Sequence, residues 1–336
     1  MGPSRIAALF LLGASAVAQA PLGLAELLNR ISKDAADFQK VAPLTLSEET
    51  LRQRSRPGFA GLLEKDSAAA RLPPAPLSQR EIVSEYGYAS LRNAPAALHE
   101  IRKIVRVDGR ELSTVDNARH AVAAGLSGDD KQKKRLLEEF EKHGLKGSVT
   151  DFGQLLLLFS KRRIGDYDFH IDREARVGVD PVLVLAYRQR GGPESLTVFR
   201  GNTAVRQPLT GEIWVRKSDG MPLRITLVSI QRMQHNAIKD EAAVDYSPSP
   251  LGAVLPVAVV HREYLNDDLL TENLFRYAPF RRIAGGAEPG SAPPSKGVGE
   301  QTVANPPLSL PSVSKPGSRP EDDTPMVKAP IVRIPE

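Results

Sequence analysis

The sequence predicts an α+β fold, in which helices cover the apolar face of a large, curved antiparallel β-sheet that resembles an unclosed barrel. Five strand-like segments follow one another at residues 212–216, 222–230, 238–246, 254–264 and 269–277. Short runs of Gly, Pro, Asn, Asp and Ser join them, and these residues favour turns. Because parallel strands need crossovers of about a dozen residues, the five segments predict an antiparallel meander.

Alternation within these segments predicts one dry and one wet face. Leu223, Ile225 and Leu227 share one side of their strand, while Arg224 and Thr226 point to the other side. Such an apolar face needs a cover, because large uncovered apolar patches are rare on soluble proteins.

Further strands are predicted on both sides of a helical block at residues 113–163. Weak or clear alternation marks residues 50–54, 81–91, 101–107, 167–172, 182–187 and 196–199, and Asp108-Gly109 is a strong turn signal. About ten strands result, and a sheet that large normally curls or splits.

Helical spacing is clearest at residues 24–38, and the helical block divides into 113–126, 129–143 and 149–163. The run from Gln154 to Phe159 is the most apolar helical stretch after residue 20. We therefore expect it to cover the sheet.

The N-terminal residues 1–20 are typical of a secretory signal peptide. Arg5 precedes an apolar run that ends in Ala18-Gln19-Ala20, a small-residue cleavage pattern, and the run is too short to span a bilayer. We therefore expect an exported protein, periplasmic or secreted, without a transmembrane segment after signal removal. The chain has no Cys, so its core must stabilise it without disulfides.

The composition changes at residue 284. Residues 284–336 contain eleven prolines and no aromatic residues, which predicts a disordered tail. Residues 21–283 then form a single α+β domain. A partner-binding role is an alternative for residues 326–334, which are apolar enough to add as a strand to another protein's sheet.

Charge and motifs exclude several classes of function. The 45 basic and 40 acidic residues are interspersed, which does not favour a nucleic-acid partner. No nucleophile, nucleotide or metalloprotease motif occurs, so neither an enzyme nor a cofactor is predicted.

Three weaker signals have alternative interpretations. Asp168, His170 and Asp172 alternate on one strand, but such side chains stand parallel and seldom converge on a metal. His261-Arg262-Glu263, with Asp245 and Glu272, could form an acid/base group, although a cross-strand ladder of ion pairs explains it more simply. Trp214 lies out of phase with its apolar neighbours, which favours an edge or interface position over a ligand contact.

The order of signal peptide, helix and large sheet resembles the periplasmic lipoprotein carrier (LolA/LolB-like) superfamily. The resemblance is carried by Gly211-Glu212-Ile213-Trp214-Val215 followed by Pro222-Leu223-Arg224-Ile225, and then by Val244-Asp245-Tyr246 and Leu255-Pro256-Val257. It covers residues 24–40 and 165–280, and the block at 113–163 departs from it. The resemblance implies an unclosed barrel that is lidded by helices and binds acyl chains.

Two hypotheses of function remain. In the first, the sheet binds a hydrophobic or lipid-like ligand; in the second, the core is filled and the protein is an envelope scaffold whose tail binds another envelope protein. The side chains expected to line a ligand are Leu155, Leu156, Phe159, Ile213, Val215, Ile225, Leu227, Val244 and Tyr246.

Overall fold

The computed structural model describes residues 23–56, 76–92, 94–142, 152–190, 196–200, 203–232 and 235–283. The predicted signal peptide and the predicted tail lie outside these residues. Both therefore stay predictions, as does the division of the chain into domains. Within the described residues, no helix is long and apolar enough to cross a membrane.

In the part of the chain that the structure describes, twelve strands form one antiparallel sheet, and two more form a separate hairpin. In chain order the strands are β1 (Thr45–Ser55), β2 (Ser78–Leu91), β3 (Ala94–Val107), β4 (Arg110–Glu111), β5 (Tyr167–Val177), β6 (Asp180–Gln189), β7 (Leu196–Arg200), β8 (Thr203–Gln207), β9 (Thr210–Arg216), β10 (Pro222–Arg232), β11 (Ala237–Pro248), β12 (Val254–Leu265), β13 (Asp268–Tyr277) and β14 (Arg281–Arg282). The order across the sheet is β4-β3-β2-β1-β13-β12-β11-β10-β9-β6-β5. β14 also pairs with β1, and β7 pairs with β8. Among the described strands, the two end strands β4 and β5 do not pair with each other, so the sheet is not closed.

The predicted meander is confirmed as the consecutive strands β9 to β13. Its turns contain the residues that the left-handed backbone region favours. Gly220 has a φ of 71° between β9 and β10, and Asn266 and Asp267 have φ values of 49° and 73° between β12 and β13. The turn signal at Asp108-Gly109 is also confirmed, with φ values of 48° and 81°.

The strands before the helical block are longer than predicted. β1 starts five residues earlier than the predicted 50–54, and β3 includes residues 94–100, where alternation was not recognised. Pro95 interrupts the alternation of these residues. A proline is tolerated at this position because β3 pairs with β4 only at Arg106 and Val107, so no strand pairs with that side of β3 around Pro95 among the described residues.

Helix α1 (Leu24–Val41) lies against the sheet, as its apolar spacing predicted. Its buried residues belong to the main hydrophobic cluster, together with side chains of β9, β10 and β11. They are Leu27, Leu28, Ile31, Ala35 and Phe38. We call the side of the sheet that α1 covers the inner side, and the opposite side the outer side.

Helices α2 (Val115–Ser127) and α3 (Asp130–Lys142) are confirmed as elements, but they lie on the outer side. Val122 and Leu136 pack on Ile101 and Leu46 in a second, smaller cluster. The prediction that helices cover one face is therefore wrong for this block. The physical reason is that β1 to β3 carry apolar side chains on both faces, so each face needs its own cover.

Candidate functional site

All nine residues predicted to line a ligand lie together on the inner side, in one hydrophobic cluster. Each is at most 4% exposed. Six of them come from the meander and form what we call the inner wall: Ile213, Val215, Ile225, Leu227, Val244 and Tyr246. The other three, Leu155, Leu156 and Phe159, belong to the segment Phe152–Phe159, which we call the cover segment. Contact of these residues with a ligand stays a prediction.

The cover segment consists of two short 3₁₀-helical pieces on either side of a kink at Gln154, and not of the α-helix predicted over residues 149–163. Its buried positions recur in pairs, with Gln154, Leu157 and Ser160 partly exposed at every third position. This period matches the three residues per turn of a 3₁₀ helix. Four consecutive leucines hide the period in the sequence, because apolarity alone does not distinguish Leu157 from its buried neighbours. The predicted start of this helix, up to residue 151, lies outside the described residues.

Aromatic contacts fix the two ends of the cover segment. The ring of Phe152 stacks on His261 of β12 with 4.5 Å between centroids. At the other end, Phe159 meets Tyr187 of β6 edge to face at 4.9 Å. The Ser32 hydroxyl of α1 also donates to the Phe159 carbonyl oxygen over 2.9 Å. The cover segment is thus held between α1 and the inner side of the sheet.

Buried hydrogen bonds attach the start of the cover segment to the sheet. The Tyr246 hydroxyl accepts from the Leu156 amide over 3.1 Å and donates to the Gly153 carbonyl oxygen over 3.2 Å. Burial raises the pKa of Tyr246 above its ordinary value, so this hydroxyl stays a neutral donor at any physiological pH. The Glu100 carboxylate accepts from the Gly153 amide over 2.7 Å.

A buried ion triad adjoins these hydrogen bonds on the inner side of β1 and β3. The Arg102 guanidinium donates to both oxygens of Glu49, over 2.7 and 2.9 Å, and to Glu100 over 2.5 Å. All three residues are at most 5% exposed. Burial alone would lower the pKa of Arg102, but the two carboxylates raise it well above its ordinary value. Glu100 therefore links the triad directly to the cover segment.

This triad was not predicted from the sequence. Its signal was present, because Glu100 and Arg102 occupy the same alternation phase as Leu98 and Ile104, which lie in the main cluster. Charged residues in the apolar phase of a strand indicate either an exposed face or a buried pair. The partner on β1 could not be identified without the strand pairing.

A second buried polar chain crosses β1, β13, β12 and β11. Gln53 donates to Asn273 over 2.8 Å, Asn273 lies 3.2 Å from Nδ1 of His261, and Nε2 of His261 lies 3.4 Å from Asp240. His261 is wholly buried. Its neighbour Arg262 lies on the outer side and pairs with Glu272 over 2.7 Å.

The candidate acid/base group is therefore divided between the two sides of the sheet. On the outer side, Arg224 binds Asp245 over 2.5 Å, and Glu272 accepts from both Arg262 and Arg54. These contacts form the predicted ladder of ion pairs. His261 and Glu263 do not join it, because successive side chains of a strand alternate between its faces.

Trp214 lies on the outer side, but the prediction of an edge position is wrong. β9 is an interior strand between β10 and β6. The indole Nε1 donates to Glu212 over 2.8 Å, and the guanidiniums of Arg173 and Arg224 lie 5.5 and 5.8 Å from the ring centroid. Cation–π contacts with these two arginines thus explain why Trp214 lies on the outer side, opposite its apolar neighbours Ile213 and Val215.

The alternating Asp168, His170 and Asp172 lie on β5, at the end of the sheet. Asp168 pairs with Arg190 over 3.3 Å, and Asp172 pairs with Arg173. Among the residues that the structure describes, no three His, Asp or Glu side chains are placed to hold a metal ion.

No protein-family model and no curated protein sequence matches the chain. Two solved structures are similar to it. A DUF1329 family protein from Desulfovibrio piger has 9% identity and a TM-score of 0.34, over 77% of this chain and 95% of that one. A LolA superfamily protein from Nitrosomonas europaea has 11% identity and a TM-score of 0.30, over 77% of this chain and 94% of that one. The second belongs to the superfamily that the sequence resembles.

Proposed function

We propose that the protein is an exported, non-enzymatic binding protein that holds a hydrophobic or lipid-like ligand, such as an acyl chain, between the inner wall and the cover segment. The observation that carries this proposal is the nature of the cover. A short 3₁₀ segment lies over an inner wall that is apolar apart from the Tyr246 hydroxyl. Short 3₁₀ helices have poorer hydrogen-bond geometry than α-helices, so displacing this cover costs less than displacing a long helix.

A ligand would take the place of cover side chains. Leu155, Leu156 and Phe159 fill the space against the inner wall, and an acyl chain offers the same apolar surface in exchange. The exchange keeps the wall dry, so its main cost is breaking the few hydrogen bonds made by Tyr246 and Glu100.

The second candidate is an envelope scaffold with a filled core, whose C-terminal tail binds another envelope protein. The burial of the cover side chains favours this candidate, since Leu155, Leu156 and Phe159 are as little exposed as the side chains of a permanent core. The two candidates differ in one measurable respect: a carrier gains stability from a fatty acid, and a scaffold does not.

The test compares Leu156→Ala with its neighbour Leu157→Ala. Leu156 is wholly buried and Leu157 is only partly buried, so the pair serves as a matched set. In a filled core, Leu156→Ala should cost about 2 to 5 kcal/mol of unfolding free energy, and Leu157→Ala clearly less. Denaturation midpoints are measured for both variants with and without dodecanoate.

The carrier proposal predicts that dodecanoate raises the midpoint of the unaltered protein and recovers part of the loss in Leu156→Ala. Native mass spectrometry of the purified protein should also show co-purified lipid. If dodecanoate moves no midpoint and no lipid is found, the scaffold is the better account.

Export is tested separately. We propose cleavage after Ala20, supported by the apolar run and the small residues that precede this position. N-terminal sequencing of the exported protein should begin at Pro21, and an exported protein that still begins at Met1 would contradict the proposal.

A further inference from the structure

Three buried tyrosine hydroxyls surround the start of the cover segment. Tyr86 and Tyr88 of β2 and Tyr246 of β11 belong to the main hydrophobic cluster, and each is at most 4% exposed. Burial raises the pKa of each tyrosine above its ordinary value, so all three hydroxyls stay neutral. A neutral hydroxyl has one hydrogen to donate and lone pairs that accept.

The group that lies among these hydroxyls is the peptide backbone of the cover segment. The Tyr246 hydroxyl donates to the Gly153 carbonyl oxygen over 3.2 Å and accepts from the Leu156 amide over 3.1 Å. A Cβ at Gly153 would lie 2.8 Å from the Tyr88 hydroxyl and 3.0 Å from the Tyr86 hydroxyl. The space between the three tyrosines therefore fits a peptide unit that has no side chain.

Two of the three hydroxyls have hydrogen-bonding capacity that the cover segment does not use. In the part of the chain that the structure describes, neither the Tyr86 nor the Tyr88 hydroxyl has a hydrogen-bond partner. The two rings are neighbours, with 5.1 Å between centroids. At most one hydroxyl of such a pair can donate to the other, so at least one O–H group has no acceptor. Buried groups of this kind are uncommon in folded proteins.

The tyrosine hydroxyls adjoin the apolar inner wall. Val244 stands opposite Ile225, and Tyr246 follows Val244 on the same side of β11. An alkyl chain that replaces the cover side chains on this wall therefore ends beside the Tyr246 hydroxyl. Displacing the cover also takes away the acceptor and the donor that this hydroxyl has in Gly153 and Leu156.

The head group of a ligand has to replace both kinds of partner. A carboxylate and an ester offer only acceptors, whereas an amide offers a carbonyl oxygen and an N–H group. Among three hydroxyls, the carbonyl oxygen of an amide can accept from one tyrosine while its N–H group donates to another. An amide also has the size of the peptide unit that now fills the space.

We infer that Tyr86, Tyr88 and Tyr246 bind the head group of the ligand, and that this head group is an amide attached to the alkyl chain. The cover segment is then a built-in competitor, because its backbone and its apolar side chains occupy the place of an acyl amide. This inference rests on the proposed function, since the head group reaches the tyrosines only when a chain displaces the cover.

N-methyldecanamide and methyl decanoate test the inference, because the two differ only in an N–H group and an ester oxygen. Equilibrium dialysis with the full chain, below the solubility limit of each probe, gives both dissociation constants, and dodecanoate is measured alongside. We expect the amide to bind at least about fivefold more tightly, the ratio that one net hydrogen bond provides. In a site without a partner for the N–H group the amide would bind more weakly than the ester, because this group would lose its water without replacement.

Tyrosine variants locate the preference. Tyr246→Phe and Tyr88→Phe each remove one hydroxyl and should bring the amide-to-ester ratio toward one. If Tyr246 only braced the cover, its loss would change the binding of both probes alike and leave the ratio as it was. Tyr88→Phe removes a hydroxyl without a partner and so carries the test if Tyr246→Phe does not fold. Tyr264→Phe is the matched control, since this ring lies beside Lys239 and outside the main cluster.

The outcomes separate the inference from the proposed function. Equal or tighter binding of the ester overturns the inference and leaves the proposed function standing, and so does a ratio that neither tyrosine variant lowers. Binding of dodecanoate without either neutral probe has the same meaning. Binding of none of the three probes overturns the proposed function, and the inference with it.

Discussion

Two Arg–Glu pairs with the same contact distance lie at different depths in the sheet. Arg102 binds Glu49 over 2.7 Å on the inner side, and Arg173 binds Glu212 over 2.7 Å on the outer side. The side chains are 5% and 1% exposed in the first pair, and 40% and 24% exposed in the second. The two pairs therefore differ in burial although their shortest contacts are equally long.

Burial depth decides how much each charged side chain contributes to the stability of this protein. Water solvates either partner of the outer pair when the other is removed, so such pairs contribute about 0 to 1 kcal/mol. The inner pair cannot be solvated in this way, and loss of one partner leaves an uncompensated buried charge. We therefore expect the inner triad to be critical for folding and the exposed Arg173–Glu212 pair to be dispensable.

The largest effect is expected for Arg102→Met. It keeps much of the side-chain volume but leaves Glu49 and Glu100 buried without their cation, which should cost about 3 to 5 kcal/mol of unfolding free energy. Urea denaturation measures this loss. A loss of less than about 1 kcal/mol, as expected of an exposed pair, would show that burial does not make the charge of Arg102 critical for stability.

Gly153→Ala tests the packing around the triad. A Cβ at Gly153 would lie 2.7 Å from Oε1 of Glu100 and 2.8 and 3.0 Å from the hydroxyls of Tyr88 and Tyr86. These side chains are buried and cannot easily move, so we expect a loss of about 1 to 3 kcal/mol. Gly165→Ala is the control, since nothing lies within 4 Å of its added Cβ. Equal thermal midpoints for the two variants would contradict the crowding at Gly153.

Asp34 of α1 is intermediate in depth. Burial raises its pKa to about 6, and the carboxylates of Asp37 and Asp219 add to this rise. Because the folded pKa lies above the unfolded value of about 3.9, the folded state binds more protons between these values, and stability is lost as the pH rises through about 6.

Asp34→Asn should therefore raise the unfolding free energy by roughly 1 kcal/mol at neutral pH, after allowance for solvent screening. The gain should vanish below the unfolded pKa of about 3.9, where the aspartate is protonated in both states. Thermal midpoints across this pH range provide the measurement. A gain that is the same at every pH would show that the charge of Asp34 is not its cause.

The smallest effect is expected for Arg173→Gln. It removes the outer pair and one of the two cations over Trp214, and should cost about 0 to 1 kcal/mol, less at high salt. The same denaturation assay with and without added salt measures it. A loss of unfolding free energy comparable to that of Arg102→Met would show that the buried and the exposed ion pairs stabilise the protein equally.

Much of the fold followed from local patterns in the sequence. Alternation and turn residues predicted β9 to β13, and helical spacing predicted α1, because each signal depends only on neighbours along the chain. The lining residues on the inner wall were predicted from the same alternation. The place of Trp214 on an interior strand was not predicted, since strand order depends on pairings between distant segments.

Alternation along the chain indicates which side chains share a face on most strands, and therefore that an apolar inner wall must be covered. It does not reveal the bulge between Pro222 and Arg224, which places Leu223 in the outer cluster with Trp214. The partners that meet across strands follow from the tertiary structure alone. Glu49 and Arg102 are 53 residues apart in the chain, and Asp240 faces Glu263 because β11 pairs with β12. Contacts of this kind are set by the register of the whole sheet, which no local period encodes.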